Sequence, residues 1–161
     1  MNQTGPILQF LGCQDGVWGL SLLIVCDAAD PQPGLTLHVP AELVGGWHGP
    51  VPGLDATAWR FDIAVRQTAA TQSVAYRLGG QTHHIQVPAL GATPAMAYVS
   101  CNGFSDARTR KSIQHPLAMW ARLGRLHAGQ DLVDQTRFGP LELLLMGGDQ
   151  IYSDDIWSVL P

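Results

Sequence analysis

Apolar and polar residues alternate over much of residues 1–93. Leu35-Thr-Leu-His-Val39, Trp59-Arg-Phe-Asp-Ile-Ala-Val-Arg66 and Ser73-Val-Ala-Tyr-Arg77 each put every second side chain on an apolar face, the period of a half-buried strand. Gln81-Thr-His-His-Ile-Gln-Val87 is a further candidate. Val17-Trp-Gly-Leu-Ser-Leu-Leu-Ile-Val-Cys26 is apolar throughout. It is about half as long as a membrane-crossing helix needs to be, so it reads as a buried strand. Between the strands lie Asp30-Pro-Gln-Pro-Gly34, Gly49-Pro-Val-Pro-Gly53 and Gly79-Gly80, all with turn chemistry. Gly79-Gly80 between two strands predicts a tight hairpin. Several short strands at this spacing predict an antiparallel β-sandwich of immunoglobulin-like kind over residues 1–93.

The pattern changes after Pro88-Ala-Leu-Gly-Ala-Thr-Pro94, a stretch of linker composition. Ala95–Ser100 reads as a short strand. Pro116 to His127 reads as a helix with proline near its start. Leu117, Trp120, Leu123 and Leu126 recur about once per turn and are expected to face a core, with Arg122 and Arg125 off that stripe. Gly129 is a plausible stop. Phe138-Gly-Pro140 turns the chain into an apolar strand, Leu141–Met146, and Ser153 or Asp154 is expected to cap a last short helix holding Trp157. Strand, helix, strand predicts a right-handed βαβ unit with parallel strands. Residues 94–161 thus read as the start of an α/β domain. Both strand tips emerge on one rim, which brings Cys101, Asn102 and Asp149 together.

Composition excludes some classes of function. The 161 residues are 46% hydrophobic and 14% charged, with a formal net charge of −4. Lys111 is the single lysine. No basic surface suited to a nucleic-acid backbone is expected. The start, Met-Asn-Gln-Thr-Gly-Pro, lacks a basic segment, a twin-arginine pair and a cleavable apolar core. No membrane partner is expected. Cys13, Cys26 and Cys101 are odd in number and widely spaced, which predicts no disulfide framework and a reducing, cytoplasmic setting.

The candidate chemistry lies at the two strand tips. Asp149 follows an apolar run and two glycines, and a carboxylate behind a dry strand is costly unless paired or metal-bound. One aspartate can bridge two cations. Gly147 and Gly148 leave room for a sharp turn and for a substrate to approach. Tyr152 offers a hard phenolate oxygen suited to ferric iron, and Cys101 a softer thiolate that binds iron or zinc; other divalent metals stay open. Asn102 offers an amide. Each has a plainer reading: Asp149 as a turn residue, Tyr152 as an aromatic under the last helix, Cys101 as a small buried hydrophobe, Asn102 as a strand-end turn. His83 and His84 point to opposite strand faces and make a poor ligand pair. All six histidines read as structural. Arg108, Arg110 and Lys111 are a short basic cluster that reads as a solvated loop or as a lure for an anionic substrate. The five tryptophans read as core and domain-contact residues.

Tyr98-Val-Ser-Cys-Asn-Gly-Phe104, the following helix with Met119-Trp120, and Met146-Gly-Gly-Asp-Gln-Ile-Tyr-Ser-Asp-Asp-Ile-Trp157 resemble alkaline phosphatase D-type (PhoD-like) metallophosphatases. Members carry an immunoglobulin-like β domain ahead of the catalytic domain. The resemblance implies a metal-dependent phosphoric ester hydrolase acting on a phosphate monoester or diester. It implies iron and calcium as cofactors, with Cys101 and Tyr152 as iron ligands and Asp149 bridging the two metals. Asp149 and Asn102 are the implied catalytic residues.

The family also uses an Asn-His pair, a further aspartate and late histidines. None of the six histidines here sits in such a context. The chain is therefore expected to be the leading portion of the enzyme, inactive in isolation, with the remainder of the catalytic domain as its partner. Two other readings stand beside this one. The chain is a non-enzymatic β-sandwich binding module with a vestigial tail, or an unrelated two-domain binding protein in which Gly-Gly-Asp is a turn.

Overall fold

The computed structural model of the chain describes residues 3–101, 107–115, 117–133, 136–137 and 139–148. The chain divides into two compact units, Met1–Thr93 and Pro94–Pro161.

The first unit is built from seven strands: β1 (Gln3–Gln14), β2 (Val17–Asp27), β3 (Leu35–Leu37), β4 (Ala41–Pro50), β5 (Ala56–Arg66), β6 (Gln72–Leu78) and β7 (Gln81–Val87). They form a four-stranded sheet in the order β1-β2-β5-β4 and a three-stranded sheet in the order β3-β6-β7. Every pairing in these two sheets is antiparallel. Alternate residues of both sheets meet in one core. β2 supplies Leu20, Leu22 and Ile24; β5 supplies Phe61, Ile63 and Val65; β6 and β7 supply Val74, Leu78, Ile85 and Val87. That is a β-sandwich, as the alternation in the sequence predicts. Gly79 and Gly80 join β6 to β7 with φ of 56° and 86°. Two successive residues in the left-handed region make a tight hairpin turn that glycine accepts without a steric penalty.

β1 and β4 were not expected from the alternation. Both are edge strands interrupted by glycine, and β1 also contains Pro6. Register shifts fall between Thr4 and Ile7, Phe10 and Gly12, and Leu43 and Gly45. A bulge adds a residue and breaks the period of two. Trp18 is buried at 4% exposure and Trp59 packs against the core, but Trp47 is 58% exposed. Trp47 therefore lies outside the sandwich core, with its ring over Gly49 on an edge strand.

In the second unit, β8 (Met96–Ser100) and β11 (Leu143–Gly147) are parallel neighbours, with Met96 opposite Leu143 and Ser100 opposite Gly147. Helix α2 (Ala118–His127) lies between them in sequence. Its C-terminus is closed by Gly129 N–H donating to the Leu126 carbonyl and Gln130 N–H donating to the Arg125 carbonyl, at 3.0 and 2.8 Å. This pairing satisfies carbonyls that the helix itself leaves open. Arg122 and Arg125 both approach Asp131, at 3.8 and 3.4 Å. The apolar stripe of α2 is only half-buried at Trp120, Leu123 and Leu126, and Leu117 is 69% exposed. Helix α1 (Ala107–Ser112) contains Arg108, Arg110 and Lys111, so this basic cluster is helical where a loop was expected. An antiparallel pairing of β9 (Leu132–Val133) with β10 (Thr136–Arg137) completes the described elements.

Candidate functional site

The parallel pair is clamped at both ends. At the entry, the Glu142 carboxylate accepts the Ala95 N–H at 2.8 Å, and Glu142 N–H donates to the Ala95 carbonyl at 2.9 Å. The Leu141 N–H donates to Nδ1 of His127 at 3.1 Å, which ties the end of α2 to the entry of β11. At the exit, Cys101 N–H donates to the Gly147 carbonyl at 3.1 Å. Parallel strands in register have their C-terminal ends side by side, so the residues that follow them share one rim.

Cys101 is the sequence-predicted ligand that the described residues contain. It is exposed and has φ of 58°. A non-glycine residue in that region costs backbone energy and is worth a functional question. Its Sγ lies 3.3 Å from Ser100 Oγ. Gly148 has φ of 66°, and a Cβ placed on it would lie 2.7 Å from Cys101 Sγ and 2.8 Å from Ser100 Oγ. The thiol occupies the space that a side chain on Gly148 would need. A Cβ on Gly147 would overlap the ring of Tyr98. The space vacated by the double glycine is thus taken by this chain's own side chains, not left open for a substrate. Asn102, Asp149 and Tyr152 lie outside the described residues. So do Ser153, Asp154 and Trp157.

Among the described residues, no three His, Cys, Asp or Glu side chains gather closely enough to hold a metal ion. Three of the histidines make side-chain contacts within the sandwich. His48 stacks on Trp59 at 4.6 Å and His83 on Tyr76 at 5.0 Å. His84 faces the other way and meets Ser73 Oγ at 3.4 Å. The other two thiols are occupied elsewhere. Cys13 donates to Gln67 Oε1 at 3.2 Å. Cys26 is buried in the sandwich, and burial, with Asp30 and Asp27 nearby, pushes its thiol pKa up. It is a poor nucleophile at neutral pH. No disulfide links the three.

Sequence reasoning missed Glu142 and Ser100. A lone glutamate before an apolar run has no spacing signature, and Ser100 stands out only once Gly148 is beside it. Among the described residues, no helix is long and apolar enough to cross a membrane. Compared with models of protein families, with curated proteins and with solved structures, the chain matches none.

Proposed function

We propose that this chain carries the first part of a metal-dependent phosphoric ester hydrolase, with a metal half-site at the tips of β8 and β11. One observation carries the reading. The thiol of Cys101 lies against Gly148, the residue that precedes Asp149 in the sequence. Cys101, Asp149 and Tyr152 would hold ferric iron: a thiolate, a carboxylate and a phenolate are an anionic donor set that suits that ion. Calcium would share Asp149. The bound cations would neutralise phosphate oxygens and acidify a water molecule. Asn102 would donate its amide hydrogens to a phosphate oxygen. Gly148, with no Cβ, keeps the sulfur at the tip of β11.

Further support comes from the two units. The strand orders β1-β2-β5-β4 and β3-β6-β7 correspond to the ABED and CFG sheets of a seven-stranded immunoglobulin-like domain. Tyr98 and Leu145 on one face of the parallel pair are 68% and 45% exposed, and Leu144 and Met146 on the other are 38% and 50% exposed. Parallel strands are ordinarily covered on both faces, so the pair reads as part of a larger sheet, and a further catalytic segment would supply the second metal's ligands. The thiol state of the three cysteines supports a reducing, cytoplasmic setting.

The test is ferric titration of the 161-residue chain followed by visible absorption. A phenolate-to-iron charge-transfer band is expected, and Tyr152→Phe should abolish it. A chain that retains no ferric iron, or a band unchanged in Tyr152→Phe, overturns the proposal. A second reading, a β-sandwich binding module, is favoured by the concentration of the core in unit 1: among the described residues of unit 2, Val99 alone is buried.

A further inference from the structure

An antiparallel sheet with one face in water alternates apolar and polar residues. β2 does not. Inward it presents Trp18, Leu20, Leu22, Ile24 and Cys26. The alternate positions, Val17, Gly19, Ser21, Leu23 and Val25, point to the outer face of the four-stranded sheet. None of these five carries a charge, although β2 is a central strand; the next outward position, Asp27, ends the strand. The neighbouring edge extends the strip. Ile7 lies opposite Leu23, and the Cβ of Leu11 would be 3.7 Å from a Cβ on Gly19. Ile7 and Leu11 are 56% and 49% exposed. On the other side β5 turns Arg60 and Asp62 outward as an ion pair at 2.7 Å, and β4 sets the exposed Trp47 opposite Arg60.

We infer that this outer face is the surface through which two copies of the chain associate about a two-fold axis. Charge favours a second copy as the occupant. At its middle the face carries Arg60 and Asp62 side by side, with Arg66 and Glu42 toward one end and Asp27 at the other, so a two-fold rotation about the middle sets Arg60 of one copy against Asp62 of the other; the centre of the patch is its own complement. Area agrees. β2 and β5 each run 11 residues. At about 3.3 Å per residue and about 4.8 Å between four strands, the face spans on the order of 700 Å². A standard interface takes about 800 Å² from each partner. This inference concerns unit 1 and stands apart from the metal site.

Sedimentation equilibrium of the full chain across the micromolar range tests it. A concentration-dependent dimer is expected. Leu11→Glu and Arg60→Asp should each weaken it by about a hundredfold, because each change acts twice across the axis. The paired exchange of Arg60→Asp with Asp62→Arg should restore the dimer to within about tenfold of the parent. Val39→Glu, at a residue 94% exposed and off this face, should leave it unchanged. Circular dichroism checks that each variant folds; should Leu11→Glu fail to, the charge exchange decides alone. A chain that stays monomeric, or a dimer indifferent to both Arg60→Asp and its paired exchange, overturns the inference.

Discussion

Replacing Gly148 by alanine probes the contact between the two strand tips. Two costs add. Alanine at a φ of 66° sits in the left-handed region, at roughly 1–2 kcal/mol. Its Cβ also arrives 2.7 Å from Cys101 Sγ, 2.8 Å from Ser100 Oγ and 3.3 Å from the Cys101 backbone nitrogen. Overfilling a packed site costs about 1–3 kcal/mol. The thiol and hydroxyl can rotate aside while the backbone nitrogen cannot, so the lower half of that range applies. The sum is about 2–4 kcal/mol. Removing the sulfur first, with Cys101→Ala, takes away the shortest contact and lets the Ser100 hydroxyl turn into the vacated space, which leaves mainly the backbone part. The Gly148→Ala cost should then fall to about 1–2 kcal/mol.

Amide hydrogen exchange of the β8 and β11 peptides measures both costs as local opening free energies. In the parent background Gly148→Ala should speed exchange there by between about thirtyfold and several hundredfold, since 1.4 kcal/mol is about tenfold. Peptides of β2 and β5, in the other unit, serve as the internal control. Additivity of the two substitutions within about 0.5 kcal/mol would refute the reasoning, because it would mean that sulfur and Cβ do not compete for one space.

Glu142→Ala removes the acceptor of the Ala95 N–H in a half-buried position and should destabilise the parallel pair by about 1–3 kcal/mol, read by faster exchange at Met96 and Ala97. Leu22→Ala opens a hole at a residue with 0% exposure and should cost about 2–5 kcal/mol, seen as a lower urea midpoint for the sandwich transition. Alkaline pH should weaken the sandwich. Burial holds the Tyr76 phenol above its ordinary pKa, and burial with two aspartates does the same for Cys26. The unfolded chain therefore ionises first. Stability is full below about pH 8.5 and is lost as pH rises past the ordinary thiol and phenol values toward the folded ones. Urea midpoints between neutral and strongly alkaline pH should show the decline, and Tyr76→Phe should flatten its upper part; a midpoint independent of pH would contradict it.

The sandwich was legible where burial imposes a period. β5, β6 and β7 alternate because each faces one core, and Gly79-Gly80 marks its own turn. β1 and β4 were not legible, since bulges at Gly5-Pro6, Leu11 and Val44 shift which side chains face inward. α2 could be read from its stripe, yet the stripe overstated its burial, because periodicity tells which residues share a face and not what covers it. α1 has six residues and no apolar face, so no pattern announces it. That β8 and β11 are parallel neighbours, with their C-terminal ends on one rim, follows from strand–helix–strand connectivity and was legible in advance. The use of the vacated glycine space was not. Only three-dimensional register sets the Tyr98 ring over Gly147 and the thiol against Gly148.

The central claim is that Cys101 belongs to a metal half-site. Iron-edge X-ray absorption on the ferric-loaded 161-residue chain tests it most directly. The account predicts one sulfur among the nearest scatterers, lost in Cys101→Ser while iron is retained. A shell of oxygen and nitrogen alone, identical in parent and Cys101→Ser, would contradict it.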